Sequence, residues 1–149
     1  MSEQQCFVQV DGTPGSPPQG TAGIAAVLRA ADGRVLSWRY ARAAARTNNE
    51  AEYQAMILGL QLALQRAPSA AVRCLTDSRM IVDQVAGRSA VHALALKPLH
   101  VHVMALRQRF RRIEFVAIPR ELNRLADALA WEALNGQQEL IGFVAKQQR

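Results

Sequence analysis

The feature that most constrains the fold is a long apolar stretch, "NNEAEYQAMILGLQLALQR", which is followed closely by Pro68. It has the length of a helix, and its apolar residues lie nearly all round the helix instead of along one stripe. Such a helix is stable in water only when neighbouring elements cover it. We therefore predict that a helix from Thr47 to about Arg66 lies at the centre of the protein.

The other elements follow in an order that is typical of an α/β domain. Before the central helix come three strands, "CFVQVD", "AGIAAVLRA" and "RVLSWRYARA", joined by a Gly/Pro loop and by a hairpin turn at Asp32-Gly33. After it, the strands "AVRCLT" and "RIEFVAI" alternate with helices in "SRMIVDQVA", "LKPLHVHVMALRQRF" and "NRLADALAWEALN". This order predicts a mixed sheet of five strands with helices on its faces.

The length favours a single domain over residues 1–149, with a core at about 6–136 and a weakly amphipathic tail at 137–149. Cys6 and Cys74 lie in short apolar runs, so we expect buried thiols instead of a disulfide or zinc ligands. The chain begins "MSEQQ", without a signal segment, and has no apolar run of membrane length. These features favour a cytoplasmic location.

The formal net charge of +6 indicates a polyanionic partner. Almost all of the positive charge is arginine, and the run "RQRFRR" from Arg107 to Arg112 concentrates it. Two interpretations of this run stay open. It is either the solvated end of a helix or a patch that binds nucleic acid.

Four acids stand where predicted strands end or helices begin. Asp11 ends the first strand and Asp77 ends the fourth, whereas Glu52 and Asp127 lie in the opening turns of two helices. Each acid alone has a structural explanation, as a helix cap, a turn former or an acid favoured near a helix N-terminus. Together they suggest a site, because functional groups in such sheets gather where strand ends meet helix starts.

If the strands of Asp11 and Asp77 are neighbours, all four carboxylates can meet at one corner of the sheet. Like charges about 4 Å apart repel by roughly 1 to 4 kcal/mol per pair, so such a cluster makes sense only around cations. Ligands that are all oxygen favour Mg²⁺ or Mn²⁺ over zinc. Two such ions can activate a water and stabilise the leaving oxygen of a phosphodiester, which is the chemistry of a nuclease.

The motifs resemble those of type 1 ribonuclease H, the family that cuts the RNA strand of RNA/DNA hybrids. The matching pieces, in the family's order, are "VQVDGTPGSPPQGTAGIAAVL", "TNNEAEYQA", "LTDSRMIV" and "IPRELNRLADALA". The resemblance implies a ribonuclease H-like fold, with three antiparallel strands and then two parallel ones. It also implies two Mg²⁺ ions, with Mn²⁺ as an alternative, held by the family's catalytic carboxylates at Asp11, Glu52, Asp77 and Asp127. The implied products carry 5′-phosphate and 3′-hydroxyl ends.

The resemblance also assigns residues that bind the substrate. Asn48 and Asn49 match residues against the minor groove, where amides can contact the ribose 2′-hydroxyls that distinguish RNA from DNA. Thr47 matches a threonine beside a phosphate of the DNA strand. The alternative is that Thr47 or Asn48 caps the helix, and both roles can hold at once. Glu50 is expected to be a solvated acid of the first helical turn.

The sequence departs from the family's commonest pattern in three places. The loop after Asp11, "GTPGSPPQGTAG", lacks a frequent asparagine, and the family's basic protrusion is replaced by "AGRSAVHALAL". The loop "IPREL" carries Arg120 where many members have a histidine. Arginine cannot shuttle a proton at neutral pH, but it can attract the scissile phosphate or steer the product away. We expect a working but slower enzyme. The first candidate for holding the substrate is Arg79, along with Trp38, Arg39 and Arg42.

The sequence therefore predicts a monomeric ribonuclease H that binds an RNA/DNA hybrid. Two alternatives stay open: a non-catalytic nucleic-acid-binding module on the same fold, or a nuclease of the same superfamily that acts on DNA. The presence of all four acids favours the enzyme. Aromatic residues are expected to serve the core, with Tyr53 and Met56 at the centre and Trp38 and Trp131 buried instead of stacking on bases.

Overall fold

The computed structural model describes residues 4–15 and 20–136. Its strands are β1 Gln5–Pro14, β2 Thr21–Ala30, β3 Val35–Ala44, β4 Ala71–Thr76 and β5 Arg112–Ala117. Its α-helices are α1 Asn48–Arg66, α2 Arg79–Val85, α3 Lys97–Arg107 and α4 Arg124–Trp131. A 3₁₀ turn, Arg120–Leu122, precedes α4, and a π turn, Glu132–Gly136, follows it. The tail predicted at 137–149 lies outside the described residues.

The five strands form one mixed sheet in the order β3-β2-β1-β4-β5. β1 pairs antiparallel with β2, and β2 pairs antiparallel with β3. β4 is parallel to β1 on one side and to β5 on the other. The predicted sheet, with three antiparallel strands followed by two parallel ones, is therefore confirmed.

Helix α1 is the centre of the fold, as its nearly continuous apolar surface predicts. Tyr53, Met56 and Leu60 are completely buried, together with small residues on other sides of the helix. Its start is a capping box, in which the Thr47 hydroxyl accepts from the Glu50 N–H and the Glu50 carboxylate accepts from the Thr47 N–H. The predicted cap at Thr47 is thus confirmed, and Glu50 completes this cap instead of being only a solvated acid.

The sheet has helices on both faces, and two glycines allow them to come close. Gly12 of β1 pairs with Ile24 of β2, so the neighbouring Gly23 faces the opposite side of the sheet. A Cβ atom at Gly12 would collide with the backbone of Ala51 in α1, and one at Gly23 with the backbone of Ala130 in α4. α1 and α4 therefore pack on opposite faces, as predicted.

The prediction that both tryptophans are buried is wrong. Trp38 is 58% exposed and Trp131 is 56% exposed. Trp38 belongs to β3, an edge strand, and it borders a shallow apolar hollow with Val35, Leu125 and Leu129. An edge strand and a short surface helix leave large side chains partly uncovered, and no sequence pattern distinguishes this position from a central strand.

The predicted burial of the two cysteines is confirmed. Cys6 and Cys74 are buried free thiols, and burial raises the pKa of each. No helix in the described part of the chain combines the length and apolarity needed to cross a membrane.

We predict that Gly23→Ala lowers the free energy of unfolding by at least about 2 kcal/mol, because the added methyl group must push α4 away from the sheet. Thermal and urea denaturation measure this change. Thr21→Ala, an exposed substitution on the same strand, is the control and should change stability by less than about 0.5 kcal/mol. Equal stability of the two variants would show that α4 does not approach β2 this closely.

Candidate active site

Three carboxylates meet at one end of the sheet because β1 and β4 are parallel neighbours. Asp11 lies in the last part of β1, and Asp77 directly follows β4. Glu52, in the first turns of α1, reaches the same corner because α1 approaches β1 closely at Gly12. One carboxylate oxygen from each of Asp11, Glu52 and Asp77 lies within 4.8 Å of the others.

Two hydrogen bonds hold the carboxylate of Glu52 in this group. The Gly12 N–H donates to Glu52 Oε1 at 3.3 Å, and the Thr76 hydroxyl donates to Glu52 Oε2 at 3.4 Å. Both donors belong to the strands that carry or precede the other two acids. The position of Glu52 is therefore set by the sheet itself as well as by its own helix.

The fourth acid, Asp127, comes from α4. Its side chain lines the same cleft as the other three carboxylates, and it is among the neighbours that raise the pKa of Asp11. This cleft has a volume of about 160 Å³, and Asn48 and Arg120 also line it. The four acids predicted from the sequence thus lie together, with one amide and one guanidinium beside them.

The pKa values of the two most buried acids, Asp11 and Glu52, are raised. Burial is the largest cause that raises the pKa of Asp11, and the carboxyl groups of its neighbours raise it further. Burial also raises the pKa of Glu52; the side chain of Asp11 and the donors Gly12 and Thr76 lower it in part, whereas the charge of Asp77 raises it. Asp11 and Glu52 are each only 4% exposed, so water cannot screen their repulsion.

The residues present fit a divalent cation. All the donors are carboxylate oxygens, which suit hard ions such as Mg²⁺ or Mn²⁺. A cation would replace the protons that the raised pKa values otherwise retain.

Only some of the residues predicted to bind the substrate line the described part of the cleft. Asn48 is exposed and lines the cleft, and Asn49 follows it at the start of α1. Thr47 is exposed at the cap, where its hydroxyl also donates to Glu50 at 2.9 Å. Arg79 is exposed at the first position of α2, two residues after Asp77, and does not line the described part of the cleft.

Two further candidates for substrate binding make contacts within the protein. Arg42 donates to the backbone carbonyls of Ala133 and Leu134 at 3.1 and 3.0 Å, beyond the end of α4. Arg39 donates to the side chain of Gln65 in α1. These guanidinium groups connect β3 to α1 and to the π turn after α4, and the sequence prediction did not anticipate this role.

The sequence prediction also missed the buried residues that support the site. Gln9, Thr76 and Asn123 are polar and nearly or fully buried, and each makes a hydrogen bond at or next to the acid cluster. Asn123 stands at the predicted start of the last helix, a position at which an asparagine side chain commonly caps the helix. Only the packing of α4 against β1 shows that this side chain points into the protein.

Comparisons with known proteins agree with this geometry. A profile of the family described as "Reverse transcriptase-like" matches residues 9–133. The "Bifunctional protein Rv2228c" of Mycobacterium tuberculosis is 40% identical over 126 residues, which cover 83% of this chain and 34% of that protein. The chain thus spans about a third of the length of the curated relatives it matches.

Solved structures give the same result. The N-terminal RNase H domain of Rv2228c from Mycobacterium tuberculosis has a TM-score of 0.82 and 34% identity, covering 93% of this chain and 99% of that one. RNase H1 from Halobacterium salinarum NRC-1 has a TM-score of 0.83 and 29% identity, with coverages of 89% and 98%. LC11-RNase H1, solved in complex with an RNA/DNA hybrid, has a TM-score of 0.79 and 30% identity, with coverages of 88% and 97%.

The fold is therefore that of type 1 ribonuclease H, and the structures that this chain resembles are ribonuclease H enzymes and domains, in agreement with the class predicted from the motifs. The chain belongs to the Reverse transcriptase-like family.

We predict that the metal-free protein loses stability as the pH rises above about 4.5, the ordinary pKa of a glutamate. The folded state has raised carboxyl pKa values, so it keeps protons that the unfolded chain has released, and a higher pH favours unfolding. Each pKa unit corresponds to about 1.4 kcal/mol. Mg²⁺ or Mn²⁺ should reverse the loss, most strongly at high pH.

Urea denaturation between about pH 5 and 8, with chelator or with each ion, measures this dependence. Asp11→Asn is the matched variant, because it removes a titrating group without changing the shape of the side chain. It should flatten the pH dependence in chelator. A metal-free stability that stays constant or rises over this range would contradict the prediction.

Proposed function

We propose that the protein is an endonuclease that hydrolyses the RNA strand of RNA/DNA hybrids and leaves 5′-phosphate and 3′-hydroxyl ends. The observation that carries the proposal is the buried carboxylate cluster, held in a cleft of a protein with a net charge of +6. Four acids in one cleft repel a polyanion unless cations intervene, whereas the surrounding positive charge attracts it. The hybrid bound to LC11-RNase H1 supports the choice of substrate.

Two divalent ions are proposed as cofactors, Mg²⁺ in the first place and Mn²⁺ as the alternative. Asp11, Glu52 and Asp77 would hold one or both ions, and Asp127, beside Asp11, would complete the second site. When bound, the ions supply an activated water and charge stabilisation at the leaving oxygen. The protein supplies the fixed carboxylates and the burial that keeps bulk water from screening them.

Neighbouring side chains are proposed to select and orient the hybrid. Asn48 borders the cleft, where its amide can donate to or accept from a ribose 2′-hydroxyl, and Asn49 would extend this contact. Arg120, on the 3₁₀ turn before α4, lies in the cleft and would attract the scissile phosphate. Thr47 would face a phosphate of the DNA strand while it caps α1, and Arg79 would add positive charge at the edge of the site.

We predict that Asp77→Asn reduces cleavage of a labelled RNA/DNA hybrid by more than about 100-fold, because it removes a charged ligand of the cluster. Binding of the hybrid, measured by fluorescence anisotropy, should stay within about threefold of the parent chain. Asp83→Asn is the matched control, since it makes the same change of charge on α2 at an acid paired with Arg88 outside the cleft.

The parent chain is tested with Mg²⁺, with Mn²⁺ and with chelator, beside DNA-duplex and RNA-duplex controls. Cutting of only the RNA strand of the hybrid is the expected result. Binding without cutting under both metals would favour the non-catalytic module, and cutting of the DNA duplex would favour a DNA-acting nuclease. Equal losses of binding and cleavage in Asp77→Asn would contradict its role as a metal ligand.

We predict that Arg120→Ala lowers kcat/KM for the hybrid by about tenfold, because the charge-assisted contact to a phosphate is lost. Arg120→Lys should recover part of this loss, since it keeps the charge but not the planar fork of donors. Arg73→Ala, at an exposed arginine that pairs with Glu114, is the control. Equal kcat/KM values for Arg120→Ala and Arg73→Ala would exclude Arg120 from substrate binding.

A further inference from the structure

The side chain of Asn123 does not cap α4. It is the residue before α4, where an asparagine side chain usually accepts an N–H of the first helical turn, yet it makes no such bond. It is 0% exposed, and its Nδ2 donates to the backbone carbonyl of Val10 in β1 at 2.9 Å. Its Oδ1 is buried and has no hydrogen-bond partner among the described residues.

This arrangement is unfavourable for stability alone. A reversed amide would place Oδ1 against the carbonyl oxygen of Val10, and two acceptors repel, so the carbonyl requires Nδ2 on its side. The buried acceptor Oδ1 then remains unsatisfied, which disfavours the folded state. An apolar side chain of similar shape would remove the unsatisfied Oδ1, but it would also remove the donor to the Val10 carbonyl. The bond to Val10, next to Asp11, is therefore what the asparagine contributes, and it indicates a role in positioning the site.

Asn123 connects the two elements that carry the acids Asp11 and Asp127. The side chain of Asn123 holds the carbonyl of Val10, which is the residue immediately before Asp11. Its own backbone carbonyl accepts the N–H of Asp127 at 3.0 Å, one helical turn further along. The carboxyl groups of Asp11 and Asp127 line the same cleft.

A second buried amide secures the same junction. Gln9, two residues before Asp11, donates from Nε2 to the backbone carbonyl of Leu122 at 2.9 Å. The Oε1 of Gln9 accepts from Arg29 of β2 at 2.6 Å, so its orientation is fixed. Leu122 and Asn123, the two residues before α4, are thus hydrogen-bonded to β1 through amide side chains. Among the described hydrogen bonds, none between β1 and these two residues involves a charged group.

We propose that Asn123 is a positioning residue that holds Asp127 beside Asp11, so that both carboxylates serve one divalent cation. This inference rests on the proposed function, because it assigns Asp127 to the metal site. Asn123 does not line the described part of the cleft, so we do not assign it as a ligand of the ion or as a contact to the substrate. It acts through the carbonyl of Val10 and through the first turn of α4.

The decisive variant is Asn123→Leu, which has a similar shape and lacks both the Nδ2 donor and the unpaired oxygen. Its melting temperature in chelator should stay within about 5 °C of the parent value or rise above it. Its affinity for Mn²⁺, measured by calorimetric titration of the metal alone, should fall by about 10- to 100-fold. On the hybrid, kcat should fall by a similar factor while KM changes by less than about threefold.

If Asn123→Leu does not fold, a second pair of variants tests the proposal: Asn123→Ala, with Val103→Ala as its control. Val103 is completely buried in α3, outside the acid cleft, so its truncation destabilises the protein without touching the junction. The two alanine variants are compared at equal distance below their own melting temperatures. Asn123→Ala should lose Mn²⁺ affinity, whereas Val103→Ala should keep it.

An Mn²⁺ affinity and kcat equal to those of the parent in Asn123→Leu would overturn the proposal. Equal losses of affinity in the two alanine variants would also overturn it, because they would reflect stability alone. A parent chain that does not cut the hybrid would refute the proposed function instead. The titration with Mn²⁺ alone would then still decide whether Asn123 positions the acids.

Discussion

The constraint on which the site depends is the burial of two carboxyl groups against each other. Asp11 and Glu52 are each 4% exposed and lie in the same group of three acids. No basic side chain in the described ion pairs neutralises them. Folding must therefore overcome a repulsion that only protons or cations can relieve, and the surrounding packing has to be rigid enough to hold the acids together.

That rigidity comes from the position of β1 between two helices. Gly12 lets α1 come close on one face, which places Glu52 within reach of the Gly12 N–H. On the other face, buried amides of Gln9 and Asn123 tie the start of α4 to the same strand. β1 is also the middle strand of the sheet. Asp11 lies on β1 itself, and the other three acids come from α1, from α4 and from the residue after β4, which are elements that pack against β1 or pair with it.

The sequence predicted the parts of this arrangement that depend on local patterns. The central helix follows from its unusual apolar surface, and the four acids stand out because they lie at predicted element ends. The adjacency of β1 and β4 depends on contacts between distant residues, so the spacing of Asp11 and Asp77 alone could not place them together. The exposure of Trp38, the buried side chain of Asn123 and the carbonyl contacts of Arg42 depend on how α4 packs, which leaves no periodic signal.

The arginines show why net charge alone describes the nucleic-acid surface poorly. Arg107, in the run that the sequence left open, donates to the backbone carbonyl of Val85 and lies 5.9 Å from the centre of the Phe115 ring. Arg29 and Arg42 likewise donate to backbone carbonyls. These groups keep their charge and contribute to long-range attraction of a polyanion, but several of their donors are occupied. Among the described arginines, Arg120 lines the cleft of the acids, which is why we propose it for the contact with the scissile phosphate.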